Sequence, residues 1–290
     1  MGEIECVLDA KSILGEGPLW DVQDQALYWV DIKRREIHRF DPVSGSDQRW
    51  STPEDVGSLA VREAGGLVVA MTSGFHFFDP ASGRFEAIAD PEPDRPENRF
   101  NDGKPDRRGR FWAGTMHDPE TTPSGALYRL DPDLRWQRMV EGVTVSNGLA
   151  WSPAGDVMYY ACSSSRTVWA FDCDPDDGTI GNRRVFIDTR EIGGAPDGAT
   201  VDEEGCYWLT LPAAWKVARY DPKGRLIRAI ELPVELPTCA MFGGPQLDVL
   251  YVTTSRFNRS EAQLASQPLA GGLFALDVGV RGVPEARFRG

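Results

Sequence analysis

The chain has 290 residues, of which 41% are apolar and 26% charged, and its 31 Lys and Arg against 44 Asp and Glu give a formal net charge of −13. This composition is typical of a soluble globular protein, and the acidic balance argues against a nucleic-acid-binding surface, which needs clustered Lys and Arg. No apolar run approaches the roughly 20 residues of a membrane-spanning helix, and residues 1–5 lack the basic start of a secretion signal.

The cysteines are odd in number and widely spaced, and no two of them form a C-x-x-C pair. The five positions are Cys6, Cys162, Cys173, Cys206 and Cys239. Such a distribution predicts reduced thiols in a cytoplasmic protein and no disulfide framework or zinc site.

A repeated pair of short strands runs through the whole chain, with breaks at many of the 30 Gly and 21 Pro. In each copy an apolar or aromatic run is followed by a second run that ends in Asp or Asp-Pro. The six copies are 26–31 with 37–42, 66–71 with 75–80, 110–114 with 126–132, 157–161 with 168–172, 206–210 with 217–222, and 249–253 with 273–277.

A strand repeat of about 40 to 50 residues is the mark of a β-propeller with four strands per blade. We therefore predict an all-β, six-bladed propeller in which residues 1–290 form a single domain around a central channel. The strand-like run 4–10 is expected to close the ring by pairing with C-terminal strands in one blade, which removes an open edge. Residues 90–97 are predicted to form an inter-blade loop. A β-sandwich is the alternative, although a sandwich does not require six matched hairpins.

Four polar residues hold the same position in four of the copies. Asn101, Asn147 and Asp197 each lie eight residues before a Gly and five residues before a polar turn residue, and Glu16 holds the equivalent place in the first copy. The second copy has Gly57 there, and the sixth has no acidic residue. Because innermost strands line the channel of a propeller, we expect these four side chains to lie on one ring around its axis.

Two carboxylates and two amides on one ring would form an all-oxygen site with a charge of −2. Such a donor set favours Ca²⁺, Mg²⁺ or Mn²⁺ and admits Zn²⁺ or Fe²⁺. The alternative is local: Asn147-Gly148 and Asp197-Gly198 are common turn dipeptides, and residues 101–103 are compatible with an Asx-turn.

Several segments resemble the signature motifs of the gluconolactonase and regucalcin (senescence marker protein) family, which includes bacterial sugar lactonases. The main ones are LGEGPLW (14–20), NRFNDGK (98–104), SNGLAWS (146–152) and PDG (196–198). Further matches are residues 111–116, 242–245 and 267–274, so the resemblance covers essentially the full length.

The resemblance implies a six-bladed propeller with one divalent metal ion in its channel. It implies that Glu16, Asn147 and Asp197 are metal ligands, that Asn101 lies beside the metal, and that Arg99 holds substrate. Two departures, Cys162 in place of a frequent Asp and the segment 211–215, put the identity of the substrate in doubt more than the chemistry.

The expected reaction is metal-dependent hydrolysis of a small sugar lactone, with the metal as Lewis acid and Asp197 as general base. Arg99, Asn101 and His117 are the candidate substrate-binding residues, although His117 is also compatible with an ordinary loop position. Asp31 is expected either behind the site or as a strand-end cap, and Trp20 and Trp151 in the core. No nucleic-acid, membrane or protein partner is implied.

Two rival functions remain open at this point. One is an aryl-ester or phosphotriester hydrolase that uses the same metal site, which an apolar channel mouth would favour. The other is a calcium-binding propeller without catalysis, since a fold alone does not specify a function. No G-x-S-x-G motif is present, which argues against an acyl-enzyme.

Overall fold

The computed structural model describes residues 4–290, which form twenty-four strands and one short helix. In chain order the elements are β1 (Ile4–Leu8), β2 (Gly15–Asp21), β3 (Ala26–Asp31), β4 (Glu36–Asp41), β5 (Ser46–Ser51), β6 (Val56–Val61), β7 (Leu67–Met71), β8 (Gly74–Asp79), β9 (Arg84–Ala89), β10 (Asn98–Pro105), β11 (Phe111–His117), β12 (Gly125–Leu130), β13 (Trp136–Val143), β14 (Ser146–Trp151), β15 (Val157–Cys162), β16 (Thr167–Cys173), β17 (Ile180–Asp188), β18 (Ala199–Val201), β19 (Tyr207–Leu211), β20 (Lys216–Tyr220), β21 (Leu226–Glu231), β22 (Pro237–Gly243), β23 (Val249–Thr254), α1 (Glu261–Ser266) and β24 (Leu273–Asp277). The described part contains no helix with the length and apolar character needed to cross a membrane.

The strands form six antiparallel sheets of four strands, the blades of a β-propeller. Blades one to five are each four consecutive strands, starting at β2, β6, β10, β14 and β18. Blade six combines β22, β23 and β24 with the N-terminal β1, whose Ile4 pairs with Leu276 of β24. The predicted fold class and the predicted closure through the first strand are therefore confirmed.

Burial falls from the inside of each blade to the outside. Every residue of β2, β3 and β6 is buried, whereas β5 and β9 at the outer edge contain no fully buried residue. Inner strands are covered on both faces by the neighbouring blades, so they contain nearly continuous runs of apolar and small residues. Trp20 and Trp151 belong to this core, as predicted.

A β-bulge interrupts the pairing of the innermost strand near its start in five of the blades. The register between the first and second strands shifts at 16–19, 56–58, 100–103, 147–150 and 237–239. A bulge places an extra residue on one strand and turns a side chain away from its regular direction. These bulges coincide with the ring positions identified in the sequence.

The polar residues five positions further along close the turns at the other end of the innermost strands. The Asp106 carboxylate accepts hydrogen bonds from the backbone N–H of Arg108 and Arg110 and from Trp112 Nε1 at 2.9, 3.1 and 3.0 Å. In blade five, Asp202 binds the Trp208 indole in the same way at 2.8 Å. These aspartates are structural caps at the end of the channel remote from the ring position.

The C-terminal segment 278–290 crosses that remote end and joins several blades. Its contacts are Gly282 N to Leu247 O (2.8 Å), Glu203 N to Arg281 O (2.9 Å), Arg107 with Glu285 (3.0 Å), Arg287 with Asp21 (2.5 Å) and Phe288 N to Val61 O (2.8 Å). The Phe288 side chain is fully buried in a core that is centred on blade two and extends into blades one and three. The segment thus ties together blade ends that the repeat itself does not connect.

Candidate functional site

A cavity of about 330 Å³ opens at the end of the channel where the innermost strands begin. Its floor contains Glu16 from β2, Asn101 from β10, Asn147 from β14 and Asp197 from the residues just before β18. Four blades therefore bring the four ring residues into one cavity, together with Arg99. The volume lies at the lower end of the range for small-molecule sites, about 300–1,000 Å³.

The glycine after two of these residues explains how a strand can present them to the channel. Gly17 and Gly148 have φ of +52° and +64°, a backbone region that favours glycine, and each lies in the bulge that follows the polar residue. Asn147-Gly148 lies inside β14 and residues 101–103 lie inside β10, so the alternative of a turn is wrong for both.

The two carboxyl groups of the floor, Glu16 and Asp197, interact with each other; Glu16 is buried, and Asp197 is partly exposed to the cavity. Burial, followed by repulsion from Asp102, raises the pKa of Glu16 to about 8. Burial, followed by repulsion from Glu16 and Asp102, raises the pKa of Asp197 well above its ordinary value. Within residues 4–290 neither carboxyl takes part in an ion pair with Lys, Arg or His. The floor therefore brings two carboxyl groups together without an ion pair to either, and the nearby charge of Arg99 lowers the pKa of Glu16 less than burial and Asp102 raise it.

This arrangement fits a divalent cation. Buried carboxylates need a compensating charge, and Ca²⁺, Mg²⁺ and Mn²⁺ prefer carboxylate and amide oxygens. Among the described residues no group of three or more His, Cys, Asp or Glu is placed to hold a metal ion, so an amide has to complete the set. Glu16, Asp197 and the Asn147 amide oxygen are the residues that fit this role.

Asn101 connects the cation ligands to Arg99 instead of presenting its own oxygen freely. Its Oδ1 accepts a hydrogen bond from Arg99 Nη1 at 2.8 Å. Its Nδ2 donates to Ser146 O at 2.8 Å and to Asn147 Oδ1 at 3.1 Å. The amide therefore fixes the position of Arg99 relative to Asn147.

Arg99 is held from the other side by a charged group at the cavity wall. Its Nε donates to Asp118 at 2.5 Å, and Lys33 Nζ from blade one approaches the same carboxylate at 3.2 Å and Asp55 at 2.8 Å. Partial burial raises the pKa of Asp118, but the hydrogen bond and charge of Arg99 and then Lys33 outweigh it, so that the pKa lies below its ordinary value. Asp118 is therefore a carboxylate that orients Arg99 while remaining exposed to the cavity.

The upper wall of the cavity combines polar side chains, among them Glu120, Asn258 and Arg259, with apolar residues that form an apolar collar. Its apolar residues include Leu14, Met116, Val145, Pro212, Leu236 and Phe257. A polar floor below an apolar collar suits a small substrate whose reacting polar group lies at the bottom.

Beneath the floor, the channel is filled by side chains. Asp102 is buried and accepts a hydrogen bond from Leu149 N at 2.8 Å. Lys104 Nζ in blade three donates to Ala199 O in blade five at 2.6 Å, and Lys104 is almost fully buried. With the C-terminal segment further below, the cavity is entered from one face of the propeller.

Two other candidates from the sequence have local roles. His117 does not line the cavity: its Nδ1 accepts from Thr121 N at 3.3 Å, and its Nε2 lies 3.5 Å from Glu97. The Asp31 carboxylate accepts from the backbone N–H of Ile13 and Leu14 at 2.8 and 3.0 Å. Asp31 therefore acts as a cap, which is one of the two roles expected for it, and it anchors the segment that leads to Glu16.

Sequence reasoning missed Lys33, Asp118 and Ser163 as residues of the cavity. One feature of the sequence could have indicated Asp118: it is a charged residue directly after β11, a strand that ends next to the ring positions. Lys33 lies in a charged hairpin turn that looks like ordinary solvent-exposed sequence. Its partner Asp118 is 85 positions away along the chain.

Comparisons with known proteins identify relatives of the chain. Residues 14–256 match the model of the SMP-30/Gluconolactonase/LRE-like region. The chain is 41% identical over 288 residues to a 6-deoxy-6-sulfogluconolactonase of Pseudomonas putida and 37% identical over 296 residues to regucalcin of Gallus gallus, with 99% of each chain covered in both cases. Among solved structures, a calcium-binding protein, regucalcin, from Agrobacterium tumefaciens superposes with a TM-score of 0.96 at 29% identity, covering 99% of this chain and 98% of that one.

Proposed function

The chain belongs to the SMP-30/gluconolactonase/LRE-like family and is a lactonase, and from this premise we propose that it hydrolyses the ring ester of an aldonolactone to the open aldonic acid. One observation carries the proposal. The buried Glu16 carboxyl, the partly exposed Asp197 carboxyl and an oriented amide lie on the floor of a small cavity, and a guanidinium held by Asp118 and Asn101 lies beside them. A sugar lactone offers a carbonyl for the floor and hydroxyl groups for the guanidinium and the amide.

Glu16, Asn147 and Asp197 would hold one divalent cation, for which Ca²⁺, Mg²⁺, Mn²⁺, Zn²⁺ and Fe²⁺ are the candidates. When bound, such an ion supplies Lewis acidity that polarises an ester carbonyl. The structure of similar fold described as a calcium-binding protein, regucalcin, supports a divalent cation as the bound group.

Asp197 is the proposed general base. Its carboxylate lies at the cavity floor, is partly exposed to the cavity, and accepts no hydrogen bond from a Lys or Arg side chain of the described residues. It would take a proton from the attacking water while the new C–O bond forms at the lactone carbonyl. That proton would then pass to the ring oxygen as the ester C–O bond breaks, which yields a carboxylic acid and a hydroxyl.

Arg99 is the proposed substrate-orienting residue. Its Nε and Nη1 are engaged by Asp118, Phe100 O and Asn101, and within residues 4–290 its Nη2 has no protein acceptor. A fixed guanidinium with one free N–H edge binds a substrate hydroxyl at little entropic cost. Asp118 can accept from a neighbouring hydroxyl with its exposed oxygen.

The apolar collar is a specific reason to keep the aryl-ester or phosphotriester hydrolase as a second candidate. The decisive experiment measures proton release from D-xylono-, L-arabinono-, D-galactono- and D-glucono-lactones, from 6-deoxy-6-sulfogluconolactone, and from phenyl acetate and paraoxon. Each assay is run after chelation and after addition of each candidate cation, with spontaneous hydrolysis subtracted.

Cation-dependent turnover of a sugar lactone that is lost in Asp197→Asn would support the proposal. Turnover of the aryl substrates alone would favour the second candidate. Cation binding without any turnover would favour a binding protein.

We also propose a cytoplasmic location. All five cysteines are free thiols, and four of them are buried. Unpaired cysteines are usual in reducing compartments and uncommon in secreted proteins of this size.

A further inference from the structure

Ser163 forms hydrogen bonds to two segments that supply floor residues. It directly follows β15, at the start of the turn to β16, and lines the cavity. Its Oγ accepts from Asn147 Nδ2 at 2.8 Å and donates to Pro196 O at 2.7 Å. The Pro196 carbonyl can only accept, so it takes the single hydroxyl proton of Ser163, and the Asn147 atom that faces Ser163 has to be the donor nitrogen.

The first bond decides which end of the Asn147 amide faces the floor. With Nδ2 held at Ser163, Oδ1 points to the opposite side, where it accepts from Asn101 Nδ2 at 3.1 Å. Rotating the amide by half a turn would place its N–H₂ group towards the floor. Nitrogen of an amide has no lone pair available to a cation, so the rotated form would not be a ligand.

The second bond restrains the residue before Asp197. Residues 195–198 precede β18, and at their end Gly198 O accepts from Thr210 N at 3.1 Å and from Thr210 Oγ1 at 2.8 Å. Asp197 N donates to Thr210 O at 3.1 Å and Gly198 N to Thr238 O at 2.7 Å, both on the side of blades five and six. Ser163 provides the restraint on the side of blade four.

We propose that Ser163 is a positioning residue of the divalent-cation site, which orients the Asn147 amide with its oxygen towards the ion and holds the segment that carries Asp197. This inference rests on the proposed function, because that function is what places a cation on the floor. Groups that hold the ligands of a metal are worth about 10- to 100-fold in affinity.

The test compares cation affinity in four proteins after chelation: the wild type, Ser163→Ala, Ser163→Thr and Ser165→Ala. Ca²⁺ and Mn²⁺ are titrated separately by calorimetry in the absence of substrate. Ser165 lies in the same turn, is exposed, and bonds only Cys162 O, so its variant controls for changes to the turn itself. We expect affinity to fall about 10- to 100-fold in Ser163→Ala and to be retained in Ser163→Thr and Ser165→Ala.

A second comparison separates orientation from general structural support. In an Asn147→Asp background both ends of the side chain are oxygen atoms, so rotation no longer removes the ligand. Ser163→Ala should therefore cost much less affinity in that background than in the wild type.

An unchanged affinity in Ser163→Ala, or an equal loss in both backgrounds, would overturn the inference and leave the proposed function intact. A wild type that binds none of the candidate cations would overturn the proposed cation and this inference together. Melting temperatures in EDTA, which we expect to be similar for all four proteins, show that each variant is folded.

Discussion

Asp197→Asn should separate the stability of the metal-free protein from its stabilisation by a cation. The substitution keeps the size of the side chain and removes one of the two carboxyl groups that interact on the cavity floor. Without a cation this relieves repulsion with Glu16, so we expect the variant to melt in EDTA at the same temperature as the wild type or higher. With a cation the variant lacks a charged ligand, so the added stability should largely disappear.

The size of the cation effect follows from linkage. A ligand at 100 times its dissociation constant stabilises the folded state by about 2.7 kcal/mol. An unfolding entropy of about 2.1 cal/mol/K per residue amounts to about 0.6 kcal/mol/K for a chain of 290 residues. The wild type should therefore melt about 4 °C higher at that cation concentration than in EDTA.

The assay is differential scanning calorimetry in EDTA and in a concentration series of each candidate cation. Asp118→Asn is the matched control: it removes a carboxylate from the same cavity that is engaged by Arg99 and Lys33. That control should keep the full cation-dependent rise. If Asp197→Asn also kept it, or if Asp197→Asn were clearly less stable than the wild type in EDTA, the assignment of the floor as a cation site would be refuted.

Three further outcomes are expected elsewhere in the molecule. Arg99→Lys should lower kcat/KM about 10- to 100-fold in the lactone assay, because an ammonium cannot reproduce the guanidinium contacts with Asp118 and Asn101. An unchanged kcat/KM would exclude substrate orientation by Arg99. Phe288→Ala should lower the free energy of unfolding by about 3–5 kcal/mol in urea titrations with KM unchanged, since Phe288 is fully buried far from the cavity. Burial raises the pKa of the Cys239 thiol well above its ordinary value, so mass spectrometry after treatment with a thiol reagent at pH 8 should find Cys239 unmodified in the native protein and modified in urea.

The fold could be predicted because the repeat determines most of it. Six copies of one hairpin pattern specify six blades, and an unpaired strand-like run at the start of the chain specifies how the ring closes. The C-terminal segment could not be predicted in the same way. It contains no strand, and its contacts join it to five blades through single hydrogen bonds and ion pairs. Phe288 is the one aromatic residue in the sequence of this segment, and it is the residue that is buried in the core.

The floor could be predicted because equivalent positions in a repeat become neighbours on a ring. The cavity wall could not, because it depends on strand faces and on contacts between distant blades. His117 illustrates the first difficulty: Met116 and Asp118 line the cavity, and alternation along a strand turns the residue between them to the opposite face. Lys33 and Ser163 illustrate the second, since each acts on a partner from another strand that local sequence does not indicate.

The site arises where the ring departs from its own symmetry. The bulge recurs in blades two and six, so it belongs to the fold, but these blades supply no carboxylate or amide to the floor. In blade two the ring position is Gly57, and neighbouring backbone leaves no room for a side chain there. A Cβ added to Gly57 would lie 2.5 Å from Phe100 O and 2.6 Å from Asn101 O. In blade six the Thr238 hydroxyl is committed to Gly15 O at 2.5 Å. Blade two is thus pressed against the strand that carries Arg99 and Asn101, and blade six is bonded to the strand that carries Glu16. The two blades that give no carboxylate or amide to the floor thus each contact a strand that carries residues of the site.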